Sequence, residues 1–382
     1  MNAPANAFSH IIQQMADNAS FLWVLRGRQR REPHVYPEHI AELDGRIQAN
    51  LDGLLLYGED AWAIAVSNGE FPQGGEAFCL GYLAFHSEDV TKIQYATEFA
   101  LQNDETFKGL VSALAWLPGN KIHPWIKQFF HSKNFEHKRL ALAACRVRKE
   151  DPAGFLNAIF EREDCIGHSP LLAEALRTAG YFKRTDLIEP PNKFLAHPNP
   201  QVAFWAIYCC AQLGKHHVAE QLKPLCTSEE ETLSFLAPRA LFLSMYYLPL
   251  DVARAWIGEW VAQGCLRAAV QACGLLGDPQ AVPWLLEQMN ERRLNRIAAE
   301  AIFLITGQPP AQAPAPELID QEEEDNLDDD SLFWADPNRC AELYAQGSIS
   351  TVNNFNAQVR SANLQTPFLA MRYQHMAQWL RL

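Results

Sequence analysis

The stretch Gly277-Asp-Pro-Gln-Ala-Val-Pro-Trp-Leu-Leu-Glu-Gln-Met289 decides the fold. Asp278 is a natural N-cap, because its carboxylate accepts from the free amides of a first turn, and Pro279 suits the first helical position, where a missing N–H costs nothing. Ala281, Val282, Leu285, Leu286 and Met289 then share one helical face. A second helix follows at once with the apolar face Leu294, Ile297, Ala298, Ala301, Ile302 and Ile305, and Gly307 stops it.

Small or apolar residues at offsets −7, −4, −3 and 0 from the last core position of that second helix recur along the chain. The copies are Leu110/Ala113/Leu114/Leu117, Leu140/Ala143/Ala144/Val147, Leu172/Ala175/Leu176/Ala179, Ala206/Cys209/Cys210/Leu213, Leu241/Ser244/Met245/Leu248, Ala269/Ala272/Cys273/Leu276 and Ala298/Ala301/Ile302/Ile305. Glu76/Cys79/Leu80/Leu83 is a poorer copy. Successive anchors lie 28 to 35 residues apart, the length of two short helices and two turns, which is repeat-protein spacing. No sustained period-2 run lies between turn residues, and GGEAFCLGYLAFHSED (74–89) reads as a glycine-interrupted helix. The expected fold is all-α, a solenoid of about seven helical hairpins.

At 382 residues the chain exceeds one ordinary core, and a hydrophobic fraction of 48% excludes disorder throughout. The start MNAPANAFSHIIQQ has neither a basic nor an apolar leader region, and no window approaches a membrane helix, so a cytoplasmic location is expected. The net charge is −13, and Glu317, Asp320, Glu322, Glu323, Glu324, Asp325, Asp328, Asp329, Asp330 and Asp336 carry ten of the negative charges; removing them from −13 leaves −3 for the rest. A nearly neutral body weakens any nucleic-acid reading. Upstream lies the Pro-rich run 308–316, so 308–330 reads as a linker, its acids a solvated, self-repelling spacer or else a contact for a basic partner or a loose cation site. The acid run lacks the alternating ligand spacing of a calcium loop.

The array resembles the HEAT-repeat superfamily, especially the short-helix variety with a Gly-Asp-Pro turn, best at 267–307. The resemblance implies an α-solenoid that holds another macromolecule. Three further stretches, Ala19-Ser-Phe-Leu-Trp-Val-Leu-Arg26, Leu43-Asp-Gly-Arg-Ile-Gln-Ala-Asn-Leu-Asp-Gly-Leu54 and Gly109-Leu-Val-Ser-Ala-Leu-Ala-Trp-Leu117, resemble a proteobacterial family of HEAT-like proteins often encoded near type VI secretion genes. That family supplies no catalytic residues.

Motifs for chemistry are missing. The nine cysteines form no C-x-x-C pair, and their odd number fits free thiols; Cys79, Cys209, Cys210 and Cys273 fall on the core template as small hydrophobes. His131 and His137 are too far apart for a helical ligand pair, His34 and His39 flank a proline turn, His216-His217 follows Gly214 in an inter-helix turn, and His123-Pro124 reads as a helix start. There is no G-x-S-x-G, P-loop, H-E-x-x-H or dinucleotide fingerprint. No catalytic residue, metal site or cofactor is therefore expected.

The candidate partner-binding residues come from position alone. At offset −9 in the repeat frame stand Lys108, Lys138, Pro170, Phe204, Arg239, Arg267 and Arg296, a basic row along one edge of the second helices. It has two readings: an internal ladder onto inter-repeat aspartates such as Asp151 and Asp278, resembling the HEAT arginine, or a row facing a partner. Trp205, Tyr208, Tyr246 and Tyr247 lie on the same helices at non-core offsets and are hot-spot residue types. Arg26, Arg28, Arg30 and Arg31 read as a cationic, solvated helix end.

The expected organisation is an N-terminal helical region at 1–104, the repeat array at 105–307, the linker at 308–330 and a C-terminal segment at 331–382. The apolar residues Phe333, Trp334, Phe368, Leu369, Met376, Trp379 and Leu380 of that segment predict docking on the solenoid. The expected function is a non-enzymatic scaffold for a protein partner, such as a type VI secretion effector met as an immunity protein or loading accessory. The alternative is a HEAT-like nucleic-acid-binding or base-excision protein with a basic groove; a lyase-like HEAT enzyme would need a chromophore partner, for which there is no cue.

Overall fold

The computed structural model describes residues 8–30, 35, 37–187, 189–228, 230, 233, 235–315, 329 and 332–346. Among them the regular structure is helical, and the strand-like pairing is an isolated antiparallel bridge between Gln312 and Ala335. The chain divides into two compact units, Met1–Cys209 and Cys210–Leu382, at a point inside one helix. None of the described helices is long and apolar enough to cross a membrane.

The first unit contains α1 (Ser9–Gln29), α2 (Pro37–Leu55), α3 (Gly58–Asn68), α4 (Gly74–Ser87), α5 (Val90–Ala100), α6 (Asp104–Trp116), α7 (Gly119–His131), α8 (Phe135–Arg148), α9 (Gly154–Phe160), α10 (Glu163–Ile166), α11 (Ser169–Tyr181), α12 (Glu189–Asn192) and most of α13 (Pro200–Gln212). Helices α4, α6, α8 and α11 stack in chain order, while α5 packs on α6, α7 on α8, and α9 with α10 on α11. Side-chain caps set these starts: Asn103 makes a capping box with Thr106, Asn134 accepts from Glu136 N–H, and His168 Nδ1 accepts from Leu171 N–H. Close stacking needs small residues. A Cβ on Gly109 would fall inside van der Waals contact with the Gly74 carbonyl, so α6 and α4 meet backbone to backbone.

The second unit holds α14 (Lys223–Cys226), α15 (Ala237–Tyr247), α16 (Leu250–Ala262), α17 (Leu266–Leu276), α18 (Val282–Gln288), α19 (Arg292–Thr306) and α20 (Pro337–Gln346). Here α15, α17 and α19 stack in order, covered by α14, α16 and α18 respectively. Asp278 caps the short 3-10 turn Pro279–Ala281 that leads into α18, accepting from Gln280 N–H at 3.2 Å, and Gly277 and Gly307 close α17 and α19 in the left-handed region at φ 74° and 75°.

The repeat template falls on α6, α8, α11, α13, α15, α17 and α19, and all its side chains except Val147 and Leu213 are buried. Ser244, its polar member, lies beside Cys226 Sγ at 3.7 Å, which satisfies the buried hydroxyl. The poorer copy is α4, stacked on α6 as the template requires. The chain is thus an all-α, HEAT-like solenoid. One local expectation changes: α7 begins at Gly119, so Pro124 lies inside it and does not start it.

Candidate functional site

The offset −9 residues meet different fates within their own units. Lys108 is exposed on α6 and pairs with Glu105 at 2.6 Å. Lys138 is buried on α8; its ammonium donates to the carbonyls of Phe130, at 2.6 Å, and Ser132, closing the end of α7, and burial pulls it below the usual lysine range. Arg239 donates to the Phe235 carbonyl of the preceding turn. Arg267 and Arg296 both reach chain beyond the array, as described below. The expected aspartates do not serve this row: Asp278 pairs with Arg254 at 2.6 Å and Asp151 with Arg184 at 3.0 Å. The pairing chemistry is as expected, but the arginines come from other offsets.

The aromatic candidates are mostly interior. Trp205 and Tyr208 are buried on α13, edge to face with centroids 5.3 Å apart, and Tyr247 is buried against His216 at 4.8 Å; Tyr246 is half-buried. Burial within the repeats withdraws Lys138, Trp205, Tyr208 and Tyr247 from a partner-facing surface, while Arg296 is covered by Trp334 of the chain's own C-terminal segment. Trp205 and Tyr208 instead complete a charged cluster in the first unit. Arg146 Nε donates to Glu174 at 3.1 Å, Arg177 lies 3.8 Å from the same carboxylate, and the Arg177 guanidinium stands 4.5 Å over the Trp205 ring. Burial pushes the Tyr208 hydroxyl up to about 12. This is a buried ion-pair cluster joining α8 to α11, with Trp205 of α13 covering one of its guanidiniums.

The arrangement with recognisable binding geometry is at the last hairpin, α18–α19. Asn295, 7% exposed, grips the backbone of Ala335: its Nδ2 donates to the Ala335 carbonyl at 3.0 Å and its Oδ1 accepts from the Ala335 amide at 3.0 Å. A side-chain amide thus imitates a strand partner and holds one residue of extended chain in both directions. On the other edge Ala313 N–H donates to Trp334 O at 2.8 Å and Asp336 N–H to Ala311 O at 2.9 Å. The Trp334 ring meets the guanidiniums of Arg292 and Arg296 at 5.2 and 4.9 Å from its centroid, a double cation–π contact. Asp329, 3% exposed, takes Arg267 through both carboxylate oxygens, at 2.9 and 2.5 Å. Ala335 and Cys340 enter the apolar core of α18 and α19, with Leu332 and Tyr344 at its border.

Asp329 therefore corrects the reading of the acid run: this member is a buried, paired carboxylate, not part of a solvated spacer. Residues 316–328 and 330 of that run, Arg31, His34, and Phe368, Leu369, Met376, Trp379 and Leu380 lie outside the described residues. Of the N-terminal arginines, Arg28 is exposed as expected, whereas Arg26 pairs with Asp44 and stands 5.7 Å from the Trp116 ring. Composition gave no cue to Arg146, Glu174, Arg177, Arg292, Asn295 or Asp329. A lone Asn amid the apolar face of α19 is the one local signal that points to the site.

All nine cysteines are free, and only Cys265 is more than slightly exposed. Burial pushes the thiols of Cys79, Cys145, Cys226 and Cys273 up to about 12, so they behave as apolar fillers. No group of three His, Cys, Asp or Glu side chains converges among the described residues.

The family model for the PBS lyase HEAT-like repeat matches residues 266–291, which are α17, the Asp278 turn and α18. No curated protein and no solved structure matches the chain. The match contains Arg267 and ends just before α19, which carries Arg292, Asn295 and Arg296.

Proposed function

We propose that this chain is a non-enzymatic helical-repeat scaffold that holds a protein partner. The observation that carries this reading is the grip of the last hairpin on extended polypeptide, through Asn295 on a backbone and Arg267, Arg292 and Arg296 on side chains. HEAT-like repeats present such faces on rigid helices, and rigid presentation lowers the entropy cost of binding. The engagement of the basic row, with Lys138 and Arg296 buried and Arg267 paired, favours a protein over a nucleic acid.

The finer form of the proposal takes the partner as a type VI secretion effector met in the cytoplasm, with this chain as immunity protein or loading accessory. It rests on the likeness of 19–26, 43–54 and 109–117 to the proteobacterial HEAT-like family. The test is affinity capture with the full-length protein from the source organism at moderate salt, followed by mass spectrometry. A stoichiometric protein that survives nuclease treatment is expected; nucleic acid alone would sink the scaffold reading. With an effector in hand, loss of its toxicity at equal stoichiometry assigns immunity, and binding with toxicity retained assigns loading.

A further inference from the structure

We infer that the face of α19 carrying Arg292, Asn295 and Arg296, together with Arg267 of α17, is a binding site for an extended, acidic, tryptophan-bearing segment of a partner protein, and that the chain's own Asp329 and residues 332–336 fill it in the partner's place. The inference rests on the scaffold reading and names the chemistry of its partner.

Three features make this a recognition site and not ordinary packing. The backbone of Ala335 is read in both directions by one side-chain amide, which recognises extended chain whatever its sequence. The side chains before it are read by charge: Trp334 by two guanidiniums and, five residues earlier, Asp329 by Arg267 through both oxygens. The occupant is also remote in sequence, since Arg267 and Asp329 are 62 residues apart and Asn295 and Ala335 are 40 apart. An occupant tethered through a run of acids is held at an effective concentration on the order of millimolar, so an external segment with the same pattern, offered by a partner docked elsewhere on the array, competes on workable terms.

The test uses the full chain and a fluorescein-labelled synthetic peptide of residues 329–346, read by anisotropy. The Trp334→Ala chain, whose own segment is weakened, should bind the peptide roughly tenfold tighter than the wild-type chain does, since the half-buried Trp334 ring and its two guanidinium contacts are lost from the competing segment. Adding Arg292→Ala to that chain should reverse most of the gain, and a peptide carrying Trp334→Ala should fail to bind. Circular dichroism checks the fold; if Trp334→Ala does not fold, Asp329→Asn loosens the segment more gently and takes its place. Absence of peptide binding to a folded, loosened chain overturns the inference, as does equal binding of the Trp334→Ala peptide. Dimerisation of the Asp329→Asn chain by light scattering without peptide uptake also overturns it, in favour of a second copy as occupant. Affinity capture separates the two readings: a partner retained by a chain that fails the peptide test leaves the scaffold standing and removes this site.

Discussion

In the first unit the guanidiniums of Arg146 and Arg177 meet Glu174, a carboxylate within the repeats themselves; in the second, those of Arg267, Arg292 and Arg296 meet Asp329 and Trp334, which return from beyond the last repeat. Both arrangements cover cations that second helices would otherwise present. The difference lies in what each would have to break in order to open. The Glu174 cluster is buried between helices that stack on each other, so opening it unstacks the repeats. On the inference above, the Asp329–Trp334 segment leaves without unstacking α17 and α19, exposing the part of the core that Ala335 covers. Neutralisation from within makes a structural joint; on the inference above, neutralisation from beyond the last repeat makes an exchangeable ligand.

The largest effect expected from breaking this comparison is Glu174→Ala. It removes the shared carboxylate beside two buried guanidiniums, a change that costs about 3–5 kcal/mol in buried pairs, and urea denaturation should show the loss for the whole first unit. Asn295→Ala comes next. It removes both bonds to Ala335 and the one to the Met289 carbonyl at 2.7 Å, and unsatisfied buried groups of this kind cost about 1–3 kcal/mol. Hydrogen exchange should place that loss at residues 311–313 and 334–336, with α8 and α11 unchanged.

Asp329→Asn should cost less, about 1 kcal/mol, because the amide keeps one bond to a guanidinium that is itself a third exposed. The loss should shrink as salt rises, a dependence the Glu174 cluster should lack because burial shields it from ions. The smallest effect has the opposite sign. Lys149 closes α8 in the left-handed region at φ 59°, where a side chain is strained, so Lys149→Gly should raise stability by up to about 1 kcal/mol. The melting temperature of the first unit should rise slightly while peptide binding at the second stays constant.

The apolar frame was legible in the sequence because a helix repeats its buried face every three or four residues, and each copy carries its own signal: Ala298, Ala301, Ile302 and Ile305 imply a buried face without reference to any other part of the chain. The charges were legible only as positions. Lys138 and Arg267 hold the same offset, yet one closes its own hairpin and the other binds a carboxylate 62 residues away. What decides between these fates is which oxygen comes within reach after folding, and no local pattern encodes that. The same holds for Arg146 and Glu174, 28 residues apart on neighbouring second helices. Trp334 stood out as too apolar to remain in solvent; that two arginines receive it was readable only from the packing of α19.

The most direct measurement is native-state hydrogen exchange by mass spectrometry on the full chain, comparing amides of α8 and α11 with those of Ala313, Ala335 and Asp336. The first group should exchange only by global unfolding of its unit, while the second opens at a lower free energy that falls further in Asp329→Asn and leaves α17 and α19 protected. Exchange of Ala313, Ala335 and Asp336 in step with α17 and α19, in the wild type and in the variant alike, would contradict an exchangeable segment, because the segment would then be a fixed part of the last repeat.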